Sequence, residues 1–149
     1  MSLILAVTIA WGSRYAPGVS QSVIHVRQHH NVARTLPLRL PPTDGYIAVA
    51  KCDEIGHIWY LRPFDTEAWE SFLVIDCSGS AETTAWMRTK NIIVEFDHET
   101  MLRWGIGPGR GVKIERGREY KFPLRLWGMY ETKGLQRPTN SQEYRRRVP

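Results

Sequence analysis

Apolar residues along this chain fall in short runs divided by polar, Gly-rich and Pro-rich breaks. The runs are of strand length rather than helix length. They predict strands over Ser2–Trp11, Tyr46–Ala50, His57–Arg62, Ser71–Asp76 and Ile92–Phe96. Two closing strands, Val112–Glu115 and Tyr120–Leu126, flank Arg116-Gly117. The run Phe72-Leu73-Val74-Ile75 is continuously apolar, the mark of a strand buried on both faces. Helical spacing of Val19, Ser22, Val23 and Val26 predicts a short helix within Val19–Arg34. A second is predicted over His98–Trp104, with Asp97 as its N-cap and Gly105 as its stop. Leu36–Gly45 carries three prolines and reads as loop. Pro63–Glu70 and Ser78–Thr84 read as connections, Gly56 as a turn residue, and Gly107–Gly111 as a tight turn. Beyond Thr132 little regular structure is expected. Many short strands and one or two short helices point to a mainly β fold, a small barrel rather than a parallel α/β sheet.

Composition supports a folded domain. The 149 residues suffice for one domain with a core, and the hydrophobic share is 42%, with six Trp. The barrel is assigned to residues 1–131 and a basic tail to 132–149, where Arg145, Arg146 and Arg147 cluster. The net charge of +5 favours acidic partners such as nucleic acid, an anionic surface or a cell-wall polymer. The apolar start lacks the basic region of a signal peptide and is too short to span a bilayer, so it is read as a first strand, with the remnant of a targeting segment as the alternative.

Cys52 and Cys77 each follow an apolar strand. Two readings are open: buried free thiols, or a disulfide closing a loop of about 26 residues and stabilising by roughly 3.5 kcal/mol. His25, His29 and His30 invite a metal reading, but no third ligand stands at motif spacing, and a solvated helix face explains them. No nucleophile elbow, phosphate-binding loop or dinucleotide fingerprint occurs, and no cofactor is implied.

The acids are the candidate chemistry. Asp76 ends one apolar strand, and Glu95 and Asp97 lie on the next. Asp97 is read as a helix cap. Asp76 reads either as a site carboxylate or as an acceptor for backbone donors. Glu95 stands between Val94 and Phe96, so if those two face the core, Glu95 faces the other way. Trp11, Tyr15, Trp59, Trp86 and Trp104 offer faces for sugar rings, with Trp59 and Trp104 assigned to core packing.

The order of these segments (GYIAVAKCDEIGHIWYL, then FLVIDCSG, then NIIVEFDHETMLRWG) resembles the double-psi β-barrel domains of the rare lipoprotein A type, related to barwin and expansin domains. Order and spacing over about two thirds of the chain carry the resemblance. Ile55-Gly56 matches the family's Leu/Ile-Gly pair. FLVIDCSG matches a strand ending in Asp, and Val94-Glu95-Phe96-Asp97 matches the strand before a short helix. Glu95 stands where the family has its functional Asp, and Cys77-Ser78-Gly79 replaces a DRGP-like sequence. The family's polar residue before the Leu-Gly pair has Lys51 or Asp53 nearest to it.

The resemblance implies a six-stranded double-psi β-barrel acting on peptidoglycan or a related cell-wall polysaccharide, outside the cell, in the envelope or on a virion. It implies lytic transglycosylase chemistry, with Glu95 as general acid and Asp76 as its partner. Tyr15, Trp11, Lys51, Asp53 and Trp86 would line the substrate groove. Three other functions fit the same residues: a non-catalytic carbohydrate-binding module, a basic nucleic-acid-binding barrel using Arg88, Lys90, Arg103, Arg110 and the tail, and an assembly scaffold.

Overall fold

The computed structural model describes residues 5–11, 16–30, 32–107 and 111–117. The protein is mainly β, built on one curled sheet with three short helices. The strands are β1 (Leu5–Trp11), β2 (Gly45–Val49), β3 (Ile58–Pro63), β4 (Glu70–Cys77), β5 (Val94–Phe96) and β6 (Gly111–Arg116), and the helices are α1 (Val19–His29), α2 (Ala81–Thr89) and α3 (His98–Arg103). Across the sheet the order is β1-β6-β3-β4-β2-β5. All neighbours pair antiparallel except β2 and β4, which run parallel. The edge strands β1 and β5 come within 8 Å of each other between Cα atoms, so the sheet curls toward a barrel.

The core lies inside this curl. Ile47, Ile58, Leu61, Phe72, Leu73, Val74, Ile75, Val94, Phe96 and Ile114 are all buried. The continuous apolar run of β4 is buried on both faces, as its sequence predicts. Phe72, Phe96 and Trp104 meet in tilted and edge-to-face contacts, with ring centroids 4.8–5.6 Å apart, a favoured aromatic geometry. Trp59 and Trp104 are thus structural, Trp59 with the Arg116 guanidinium stacked on its ring.

Two expectations change and one open alternative closes. Ser78–Thr84, expected as loop, runs into α2. Ser80 caps that helix by accepting from the Thr83 N–H at 3.1 Å, and Met87 is its buried anchor. The helix content therefore exceeds the one or two expected. Next, the short helix within Val19–Arg34 is α1, ending at His29 as a short helix should, but its buried face is rotated. Ser20, Val23, Ile24 and Arg27, at i, i+3, i+4 and i+7, turn inward, while Ser22 and Val26 are exposed. Finally, the two cysteines are bonded: Cys52 lies in a short 3-10 turn (Cys52–Glu54) and joins Cys77 at the end of β4, with Cα atoms 4.9 Å apart. That excludes the free-thiol reading.

Asp97 is the N-cap of α3. Its Oδ1 accepts from the Thr100 N–H and its Oδ2 from the Tyr46 N–H, both at 3.0 Å. The close approach requires Gly45, because a Cβ there would lie 2.4 Å from Thr100 Oγ1 and 3.2 Å from Asp97 Oδ2. Gly56 turns the chain into β3 with φ of 90°, a conformation that favours glycine. Residues 108–110 of the GPGRG turn, the expected strand Tyr120–Leu126 and the 132–149 tail lie outside the described residues.

Candidate functional site

The register of three strands builds the site. On β2, Ala48 pairs with Glu95 of β5 on one side and with Asp76 of β4 on the other. Registered residues project from the same face, so the two carboxylates flank a methyl group. Two strand spacings separate their backbones by about 9.5 Å.

Alternation alone would not place Asp76 there. Counting from Val74, Asp76 would share the face of Val74 and Phe72, both fully buried. The β2–β4 register breaks between Ile47 and Ala48: Val74 is opposite Ile47, yet Asp76, not Ile75, is opposite Ala48. This bulge accommodates Ile75 as an extra residue and brings Asp76 level with Glu95. Glu95 follows the alternation directly, half-buried between the buried Val94 and Phe96.

The two acids line one cleft of about 220 Å³, with Ala48, Val49, Cys77, Ser78, Thr83 and Met87. Cys77, bonded to Cys52, forms part of its wall. Ser78 Oγ donates to the Ala50 carbonyl and pairs with Thr84 Oγ1 at 2.6 Å, pinning the start of α2 to the end of β2. The Ser78 N–H donates to the Val49 carbonyl at 2.9 Å. The cleft floor is thus held by backbone and disulfide, and its carboxylates project from strands rather than loops.

Asp76 also carries a charged partner. Arg27 Nη2 of α1 donates to its Oδ1 at 2.6 Å. No sequence pattern singled out Arg27. Its only sequence signal is the i+7 spacing from Ser20 on the buried face of α1.

The remaining site expectations are placed differently. Lys51 and Asp53 are exposed around the 3-10 turn and do not line the cleft. Trp86 is 43% exposed on α2, about 60° round the helix from the cleft-facing Thr83 at 100° per residue. Trp11 lies in β1, where its backbone registers with Gly111, and Tyr15 lies outside the described residues. Among the described residues, then, no aromatic ring lines the cleft beside the acids. His25, His29 and His30 are exposed on and just after α1, with the His25 and His29 rings 4.5 Å apart, and no group of three or more ligating side chains suited to a metal occurs among the described residues. No helix among them is long and apolar enough to cross a membrane.

No family model, curated protein or solved structure matches this chain.

Proposed function

We propose that this chain is a double-psi β-barrel of the rare lipoprotein A type and that its cleft acts on a cell-wall glycan such as peptidoglycan. The observation that carries the reading is the level placement of Asp76 and Glu95 on either side of Ala48. Two acids chosen from the sequence alone share one cleft. The Cys52–Cys77 bond supports an extracellular or envelope location, where disulfides persist.

The chemistry is intramolecular glycan cleavage. Glu95 gives its proton to the glycosidic oxygen, and the bond from that oxygen to the anomeric carbon breaks. A hydroxyl of the same sugar bonds to that carbon and returns its proton to Glu95, leaving an anhydro end.

Incubating the protein with peptidoglycan sacculi, beside Glu95→Gln, tests the reading by mass spectrometry of what is released. Anhydro-ended fragments from wild type alone are the expected result. Equal sacculus binding by both proteins without release would make the chain a carbohydrate-binding module. Neither binding nor release would overturn the cell-wall reading and turn attention to nucleic acid or assembly.

A further inference from the structure

Arg27 is an uneconomical way to hold a helix. Its guanidinium pairs with Asp76, with side-chain exposures of 15% and 27%, while its Nη1 donates to the Arg34 carbonyl at 3.2 Å. Its Nε is buried without a hydrogen-bond partner. Desolvating two charges offsets most of their attraction, and an orphaned buried donor adds a further cost. Docking of α1 has other support. Val23 and Ile24 pack against the core, and the Leu36 N–H donates to the Arg27 carbonyl at 3.0 Å. The pair makes better sense as a device acting on Asp76, which the bulge has already brought to the cleft.

We propose that Arg27 is a positioning residue of the cleft: its guanidinium fixes the Asp76 carboxylate on one wall, and proton donation falls to Glu95 on the other. A guanidinium presents its N–H donors in a rigid fork, so the carboxylate it holds is kept in a fixed rotamer. An anion so fixed stabilises positive charge developing on the sugar ring while Glu95 protonates the leaving oxygen. The division of labour rests on the glycan-cleaving reading above; the hold on Asp76 does not.

Two measurements on the full chain separate these parts. Carbodiimide with an amine labels accessible carboxyl groups, and mass spectrometry locates the label. Labelling of Asp76 is expected to rise about fivefold in Arg27→Gln, the scale of a modest ion pair, and to return toward wild type in Arg27→Lys. Buried Asp97 stays unlabelled throughout and reports an intact fold. Glycan release is then compared in Arg27→Gln, Asp76→Asn and the double variant. Arg27→Gln is expected to lower kcat about tenfold or more with KM changed less than about twofold, and the double variant to be no slower than Asp76→Asn alone. Unchanged Asp76 labelling in Arg27→Gln overturns the proposal, as do losses that multiply in the double variant, since those describe a merely structural arginine. Absence of release from wild type sinks the glycan reading instead, and labelling alone then decides whether Arg27 governs Asp76.

Discussion

The two ends of β2 put carboxylates to different use. At its start, around Gly45 and Tyr46, each acid is matched to a fixed donor. Asp97 takes two backbone N–H groups, Asp44 takes the Ser71 N–H at 2.7 Å, and Glu70 takes the Arg103 Nε at 2.9 Å and the Trp104 indole N–H. At its other end, Asp76, held by Arg27 Nη2 at 2.6 Å, and Glu95 border a cleft. Glu95 and Asp97 are two residues apart, yet one faces the cleft and the other is 3% exposed as a helix cap. What separates their roles is the reach of backbone donors. A carboxylate at a strand-to-helix junction meets the unsatisfied N–H groups of the first turn, whereas one within a strand lies away from such a terminus.

The comparison breaks most sharply on a pair of substitutions. Glu95→Gln is expected to reduce glycan release by about 10²–10⁴-fold, the usual loss for a general acid, while costing less stability than the loss of Asp97. Asp97→Ala is expected to do the reverse. It orphans two backbone N–H groups and costs about 4 kcal/mol in denaturant unfolding, with the cleft chemistry retained in whatever fraction stays folded. If Glu95→Gln were the more destabilising of the two, the contrast between the ends of β2 would be wrong. Next in size is the disulfide at the cleft end. Replacing Cys52 and Cys77 together by Ser is expected to cost roughly 3.5 kcal/mol for a loop of this length, and to slow glycan release where Asp97→Ala does not. The smallest effect belongs to the capped end. Burial, and secondarily the charge of Asp97, raise the pKa of Tyr46 above 10.0. Its neutral form is favoured in the fold, so its contribution is fully present below pH 10 and is lost as pH rises through the folded value. Melting temperature followed from about pH 9 to pH 11 is expected to fall less steeply in Tyr46→Phe than in wild type.

Sequence reading located these ends unequally. The strands at 46–50, 57–62 and 71–76 lie within a residue or so of β2, β3 and β4, because a short apolar run between turn residues leaves little freedom. Asp97 as a cap was legible from its place before a short helix, and Glu95 as outward-facing from its apolar neighbours. Helix α2 was not, because Glu, Ala and paired Thr make AETTAWMRT look like a polar connection. Ser80 as a cap, Met87 as an anchor and Arg88 in the last turn were its signals. Arg27 was missed through a phase error, since Val26 drew the apolar face of α1 toward the side that is in fact exposed. The partner 49 residues away is a tertiary fact that no local spacing carries. The bulge opposite Ala48 was equally illegible, because register depends on how two strands settle against each other.

That bulge makes the length of β4 a matter of parity. Removing one residue before Ile75, or adding one, offers the strand two ways to absorb the change: slide its whole pairing with β2, or gain or lose the extra residue. One outcome keeps a negative charge at the cleft, and the other turns it toward Phe72 and Val74. Single-residue insertions and deletions in this strand are therefore expected to sort into two discrete groups instead of a graded series. A lineage that drifted across that divide would keep a barrel-like body and lose one of its two facing acids in a single step.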